Sequence, residues 1–170
     1  MNIYLQIKIY DCITIELDDY TMDDDDAILK QIVRSTVQWH NSGARRDAVL
    51  IGHPDGPVNG LDRFEVCRLH LLFKFQDRDI TENPEQYELA YIQWFRKKSH
   101  HKLNHMVMVE LTEAFDVILV ESIYHPIHLI PKFDIQDNYK RKMAHREAPD
   151  DFQKFYINSY IDRHAFINCY

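Results

Sequence analysis

Five short runs rich in valine, isoleucine, leucine and aromatic residues constrain the fold of this chain more than any other sequence feature. They occupy residues 47–51, 64–75, 87–95, 106–111 and 115–123. Residues of these types favour strands, and the polar connections between the runs are too short to contain crossover helices. The sequence therefore predicts a mainly β fold, in which the runs form a small antiparallel β-barrel whose closure removes exposed strand edges.

The N-terminal segment adds a strand pair to this prediction. Residues 3–10 alternate isoleucine and leucine with tyrosine, glutamine and lysine, which is the period of a half-buried strand. Residues 12–17 continue this strand or pair with it. Residues 18–26 indicate an acidic loop, although their four consecutive aspartates also suit a helix N-terminus. Residues 27–39 fit a helix or a strand, and their β-branched residues favour a strand from about Gln31.

Beyond Phe133 the apolar pattern stops, and residues 134–148 are charged and irregular. Pro149 and the acidic residues that follow it are typical of a helix start. Phe152, Phe155 and Tyr156 have the spacing of one helical stripe, which predicts a helix docked on the barrel. The predicted organisation is N-terminal strands with an acidic loop over residues 1–30, a barrel over 31–133, and a basic linker with an aromatic C-terminal helix or tail over 134–170.

Composition and cysteine usage restrict the class of protein. Of the 170 residues 45% are hydrophobic, which supports a genuine core, and no run approaches the roughly 18 apolar residues of a membrane span. The N-terminus lacks the basic and apolar regions of a signal peptide. Cys12, Cys67 and Cys169 form no paired motif, so we expect reduced thiols. We therefore expect an intracellular, soluble protein.

The charge of the chain is unevenly distributed. The first 30 residues carry eight acidic residues and two lysines, so that most of the net charge of −7 lies there. This acidic balance argues against tight nonspecific binding of phosphate backbones. Two basic clusters leave a nucleic-acid contact open, although such clusters are more often solvated loops. The candidate nucleic-acid-binding residues are Arg96, Lys97, Lys98, Lys102, Lys140, Arg141 and Lys142.

Several segments resemble known families. Residues 68–73, 90–96 and 115–123 resemble the strand pattern of bromo-adjacent homology (BAH) domains, with Lys97 standing where that pattern has proline. A closer likeness joins residues 46–51, 123–133 and 155–166 to the C-terminal region of fungal transposon-derived proteins of the Plavaka type, within the wider CACTA group. The resemblance extends over residues 5–166. It implies a noncatalytic tail module with a BAH-like barrel, left after or encoded beside a transposase.

The residues themselves offer no recognisable catalytic or cofactor site. A transposase core needs three carboxylates on alternating strands and helices to hold two metal ions, and the strand-rich pattern lacks that arrangement. There is no nucleophile motif beside a histidine, and four glycines form no phosphate-binding loop.

A loop with His100, His101 and His105 lacks the cysteines of a structural zinc site. His128 is expected to be buried, with a ring nitrogen on a backbone carbonyl. We predict no catalytic residue, metal, cofactor or small-molecule substrate.

Aromatic residues provide the candidate peptide-binding site. Tyr91, Trp94 and Tyr124 are the candidates for a cage whose ring faces attract a methylated lysine. Core packing explains the same residues and is the favoured interpretation.

Two functions follow from these observations. The first is a noncatalytic interaction module of a transposon-derived protein, which binds a protein partner such as chromatin, a histone tail or the transposase, in the nucleus. The alternative is an accessory nucleic-acid-binding domain of a transposase. The acidic N-terminal segment favours a basic protein partner, because opposite charges speed and orient the encounter.

Overall fold

The computed structural model describes residues 6–18, 28–40, 43–52, 60–76, 86–133 and 152–161. These residues form strands and two three-residue 3-10 helices, Leu61–Arg63 and Val120–Ser122, and none of their helices is long and apolar enough to cross a membrane. The strands are β1 (Gln6–Tyr10), β2 (Cys12–Asp18), β3 (Ile28–Thr36), β4 (Arg45–Arg46), β5 (Ala48–Gly52), β6 (Phe64–Gln76), β7 (Gln86–Leu103), β8 (Met106–Leu119), β9 (Ile123–Ile127), β10 (Leu129–Pro131) and β11 (Lys154–Ile157). The predicted mainly β class is confirmed.

The strands make a large and a small antiparallel sheet. In the large sheet the order is β10-β11-β8-β7-β6-β5-β9, and β1 also pairs with β6. Strand β6 is the hub, since β5 pairs with its first half, β1 pairs with its second half, and β7 lies along its other side. The small sheet has the order β2-β3-β4.

The predicted closed barrel is wrong, because the ladder of the large sheet is open. Its edge strands β9 and β10 are successive segments of the chain, separated by His128, and they do not pair side by side. The large sheet nevertheless curls, because Ile127 of β9 packs in one apolar cluster with Phe155 and Ile157 of β11 near the opposite edge. The chain therefore connects the two edges covalently where a barrel would connect them by hydrogen bonds.

The predicted C-terminal helix is also wrong, because that segment contains strand β11. Phe155 pairs with Val109 of β8 and with Pro131 of β10. The same segment also contains the alternation of a strand, since Phe155 and Ile157 alternate with less buried neighbours. Pairing on both sides decides between the two, because each strand neighbour satisfies the backbone polar groups.

Two further boundaries differ from the sequence prediction. The runs at 106–111 and 115–123 belong largely to one strand, β8, and the loop predicted over residues 99–105 shrinks to the turn at Asn104 and His105. Both turn residues have positive φ, at 49° and 66°. This is the conformation of a tight two-residue hairpin. The ladder between β7 and β8 reaches it through Lys102 and Leu103, after a register shift that follows Lys98.

The predicted N-terminal strand pair is wrong in its partners. Strand β1 pairs with β6, and β2 pairs with β3. A bend at Asp11 separates β1 from β2, so the chain leaves the large sheet and enters the small one within one residue. The strand favoured from about Gln31 is present as β3, which begins at Ile28. The acidic loop predicted over residues 18–26 lies mostly outside the described residues.

Two apolar cores result from this arrangement. Core 1 lies inside the curl of the large sheet and contains Leu50, Phe64, Val66, Phe95, Val109, Phe155 and Ile157. Core 2 lies on the other side of the same sheet and contains Val33, Val49, Cys67, Leu69, Leu72, Ala90 and Ile92, with Ile13 and Ile15 of the small sheet packed against it. The small sheet is therefore the cover of core 2.

Asp47 joins the two sheets. One carboxylate oxygen accepts a hydrogen bond from the backbone N–H of Arg34 at 2.9 Å, and the other accepts one from Nε of Arg45 at 3.0 Å. The backbone N–H of Asp47 donates to the Arg34 carbonyl, and its carbonyl accepts from the N–H of Leu69. One residue thus connects β3 of the small sheet with β6 of the large sheet.

We predict that Asp47→Ala lowers the free energy of unfolding by about 1–3 kcal/mol, because it leaves a half-buried backbone donor and a guanidinium without their acceptor. Urea unfolding followed by circular dichroism measures the change. Asp62→Ala, at an exposed acidic residue, is the matched control and is expected to stay within about 0.5 kcal/mol of the wild type. Equal effects of the two substitutions would contradict the role of Asp47.

Candidate interaction face

One half of the large sheet presents an apolar surface to solvent, on the side opposite core 2. We call it the open face, and four neighbouring strands contribute to it. Residues directly opposite each other on antiparallel strands point to the same side, and alternate residues of a strand share a side. By these registers the open face consists of Ile7 and Ile9 of β1, Leu71, Phe73 and Phe75 of β6, Tyr87, Leu89 and Tyr91 of β7, and Phe115, Val117 and Leu119 of β8.

Many side chains of the open face are exposed to an extent that is unusual for their size. The exposed fractions are 57% for Ile7, 62% for Ile9, 46% for Phe115, 49% for Val117 and 43% for Leu119. Tyr87 and Tyr91 add two rings at 39% and 38%. A large side chain carries roughly 150–250 Å² of surface, so these exposures leave on the order of 600 Å² of mostly apolar area in contact with water.

The alternation predicted for β1 is present, but its orientation is the reverse of the usual one. Ile7 and Ile9 are exposed on the open face. Tyr10, on the polar side of the pattern, packs against core 2, and its ring lies beneath the ammonium groups of Lys8 and Lys74 at 5.1 and 5.7 Å. The strand therefore turns its most apolar side toward solvent.

A β-bulge at His70 determines which residues of β6 reach the open face. Leu69 pairs with Ile92 and Leu71 pairs with Tyr91, so that β6 has one extra residue between these two pairs. Before the bulge the odd-numbered Cys67 and Leu69 point into core 2, and after it the even-numbered Leu72 does so. Extra residues of this kind shift the alternation of a strand.

A polar chain marks the boundary between the open face and core 1. Nε2 of His70 lies 2.9 Å from Oε1 of Gln93, and Nε2 of Gln93 donates to the carbonyl of Thr112 at 2.7 Å. Because the Gln93 amide donates to that carbonyl, its oxygen accepts from the His70 ring. The hydroxyl of Thr112 donates to the Trp94 carbonyl at 2.7 Å. These bonds cross the irregular part of the β7–β8 ladder between Gln93 and Phe95.

Aromatic rings cluster at the same boundary. Tyr91 and Phe115 stack with ring centroids 5.5 Å apart and planes inclined by 18°. The His70 ring meets Phe115 at 5.4 Å and Tyr91 at 6.0 Å, both edge to face. These geometries are favourable for aromatic pairs, so the rings are held in place while part of their surface stays accessible.

The three residues predicted for a lysine cage lie in three different environments. Tyr91 is on the open face, and Trp94 packs against core 2. Tyr124 packs against core 1, with its ring 4.7 Å from that of Phe64 and beneath the guanidinium of Arg63 at 5.6 Å. The structure therefore does not bring them together. Tyr91 belongs to a larger apolar surface, and the other two rings serve packing.

The basic residues of strand β7 have different partners. Nζ of Lys97 donates to the carbonyls of Leu61 and Phe64 at 3.3 and 2.7 Å, which holds the 3-10 helix against β7. Lys98 forms an ion pair with Glu110 at 2.8 Å, whereas Arg96 is exposed. The backbone of Lys102 pairs with Val107, and its side chain is not described. Lys140, Arg141 and Lys142 lie outside the described residues.

A basic aromatic group that the sequence reasoning missed lies beside β3 and β4. The ring of Trp39 is beneath the guanidinium groups of Arg34 at 5.0 Å and Arg45 at 4.7 Å. The ring of His40 meets it at 4.4 Å. The sequence signal is the spacing of Trp39 and Arg45, which indicates proximity only if the strands before and after them are assumed to pair, as β3 and β4 do.

The histidines and cysteines do not form a metal site among the described residues, where no group of three or more His, Cys, Asp or Glu has a suitable arrangement. The prediction that His128 is buried is wrong, since it is exposed. The buried ring is that of His125, whose Nδ1 contacts the Pro126 carbonyl. Burial raises the pKa of the Cys67 thiol, so it stays protonated and acts as a small apolar side chain.

The cluster around Glu110 gives a pH-dependent contribution to stability. The ammonium of Lys98 hydrogen-bonded to Glu110, with Lys154 and Arg96 nearby, lowers the pKa of the carboxyl from its ordinary value of 4.5. A carboxyl whose pKa is lower in the folded state stabilises the fold above its unfolded pKa. That contribution is lost as the pH falls through the folded pKa.

We predict that Glu110→Gln lowers the melting temperature near neutral pH and that the difference from the wild type shrinks as the pH falls below 4.5, the ordinary pKa of the carboxyl. Thermal melts at several pH values between about 7 and 3 measure this difference. Glu113→Gln, at an exposed position of β8, is the control. A difference that does not change with pH would contradict the assignment.

Comparison with known proteins gives no relative from which a function can be transferred. No protein-family model, curated protein or solved structure matches the chain. The resemblance to transposon-derived and BAH proteins therefore stays a prediction from motifs, and the geometry of the open face is the main guide to function.

Proposed function

We propose that this chain is a noncatalytic interaction module that binds a protein partner through the open face. The observation that supports the proposal is an apolar surface across four neighbouring strands, in which seven side chains on β1, β7 and β8 are exposed by 38% to 62%. Monomeric proteins rarely expose contiguous apolar patches above a few hundred Å², and larger patches mark interaction sites. Covering such a surface is favourable by roughly 25 cal/mol per Å² of apolar area removed from water.

The chemistry of the open face favours a folded partner over a basic peptide. Its side chains carry no charge, whereas recognition of a methylated lysine uses ring faces arranged around the cation. Tyr91, Trp94 and Tyr124 lie in separate environments. Among the partners implied by the resemblance to transposon-derived proteins, a transposase subunit suits this surface better than a histone tail. The same resemblance supports a nuclear location.

A double substitution, Val117→Lys with Leu119→Lys, tests this proposal. Burying two charges without partners is unfavourable, so we expect co-purification of the partner with the tagged chain to fall by roughly tenfold or more. Quantitative mass spectrometry of the co-purified proteins measures the loss. Val37→Lys, which changes a side chain that is 85% exposed and directly follows β3, is the matched control.

A second measurement, of dye binding, reports directly on the exposed apolar surface. The dye 1-anilinonaphthalene-8-sulfonate fluoresces on exposed apolar protein surface, and at protein concentrations at which both variants are monomeric we expect less fluorescence with the double variant than with the control. Partners retained equally by the double variant and the Val37→Lys control would contradict a role for the open face.

Nucleic-acid binding is the second candidate function, and one observation favours it. Trp39, Arg34, Arg45 and His40 form a compact basic aromatic group on one hairpin. Proteins that bind single strands combine aromatic rings with cationic side chains. This group is a better candidate than Lys97 and Lys98 of β7 because it joins two guanidinium groups to one aromatic ring, even though Arg45 also bonds to Asp47.

Fluorescence anisotropy with labelled single-stranded and duplex DNA at two salt concentrations tests this second function. If it holds, the affinity falls steeply with salt, and Trp39→Ala weakens binding by about 1–3 kcal/mol for one stacked base. Phe133→Ala removes an exposed aromatic ring elsewhere and is the control. Binding that ignores both salt and Trp39 would exclude this candidate.

A further inference from the structure

We infer that the occupant of the open face is a second copy of this chain, packed face to face on the same surface. The inference rests on the proposed function, because it names the protein partner of that surface. Its support comes from the area, the charge and the shape of the open face.

The exposed apolar area is close to what a stable dimer requires. The open face offers on the order of 600 Å² of apolar side-chain area, and a standard interface buries about 800 Å² per partner in total. Two such faces together offer about 1,200 Å², which is the lower end of the range for specific interfaces. Two open faces together are therefore sufficient for a specific interface.

Electrostatic repulsion is the main obstacle to self-association, and the distribution of charge keeps it away from the open face. The chain carries a net charge of −7, so two copies repel each other at most orientations. The side chains of the open face are all uncharged. A two-fold contact brings each surface against itself, and like charges in such a contact would oppose it. Lys74 and Glu88, which alternate with residues of the face on β6 and β7, form an ion pair on the other side of the sheet.

The shape of the open face is that of one layer of a β-sandwich. Two sheets pack face to face with strands inclined by about 30° and about 10 Å apart. The row Ile7-Phe75-Tyr87 crosses three of these strands, and the row Ile9-Phe73-Leu89-Leu119 crosses all four. These rows place large side chains at regular spacing, so a second copy can interdigitate with them. The small sheet already covers the side of the large sheet that carries core 2, and a dimer would cover the open face as well.

Sedimentation equilibrium of the full chain tests the inference. We expect the wild type to sediment at twice the monomer mass of 20.4 kDa. For Val117→Lys with Leu119→Lys we expect the dimer dissociation constant to rise by roughly 100-fold or more. Ile7→Lys with Ile9→Lys changes the opposite border of the face on another strand and is expected to have the same effect. Val37→Lys is the control and should stay dimeric.

Folding of each variant is checked by circular dichroism and urea unfolding, so that a monomer is a folded monomer. A wild type that stays monomeric at about 100 μM, well above a micromolar dissociation constant, overturns the inference. So does a dimer that survives both double substitutions, because another surface then holds it.

The two proposals fail in distinguishable ways. A monomeric wild type that binds 1-anilinonaphthalene-8-sulfonate, and loses this binding on Val117→Lys with Leu119→Lys, overturns the dimer and leaves the open face available to a different protein. A monomeric wild type that does not bind the dye overturns both the dimer and the proposed function.

Discussion

The arrangement of the two sheets depends on the hydrogen bonds around Asp47. Its carboxylate and both of its backbone groups bridge β3, β4 and β6. A short carboxylate at this point can accept from a backbone N–H and from a guanidinium at once, and the partly buried position makes each bond electrostatically stronger than it would be in water. Because the junction holds the small sheet over core 2, it also determines which side of the large sheet stays uncovered.

Several charged residues stabilise the fold itself, and their roles follow from the arrangement of the sheets. Lys97, Lys98 and Glu110 form bonds within the fold, and Arg68 is buried with its guanidinium 5.5 and 5.2 Å from the rings of Phe95 and Phe155. A cation held against ring faces keeps part of its favourable interaction away from water. Basic residues that suggest a nucleic-acid surface in the sequence are thus partly used to hold core 1 together.

The strand content and the antiparallel pairing were predictable from the sequence, because runs such as residues 64–75 contain strand-forming residues separated by short polar connections. The partners of β1 and β11 were not. Both are short strands whose pairing depends on the far ends of β6 and β8, and local periodicity contains no information about distant register. Phe152, Phe155 and Tyr156 fit a helical stripe, whereas Phe155 and Ile157 fit a strand, so pairing with Val109 decided the outcome.

The open face could not be predicted from the sequence, for a related reason. Apolar residues on both sides of a strand normally indicate that both sides are buried, and β6 and β8 have that pattern. The alternation of residues 3–10 likewise suggested that isoleucine would point inward. The pattern of a single strand contains no information about how much chain is available to cover each side of the sheet. In the described structure the small sheet covers only the side that carries core 2.

The bulge at His70 makes β6 two strands of opposite phase joined end to end. Its first half follows one alternation and its second half follows the other, so a single residue sets the phase for Phe73 and Phe75. Removal of His70 from the chain would restore one phase throughout, and either half of the strand would then present the wrong side to its neighbours. The number of residues in β6 is consequently constrained at this point more strictly than the identity of its side chains. Substitution of His70 would keep the phase of the strand, whereas deletion of one residue would not.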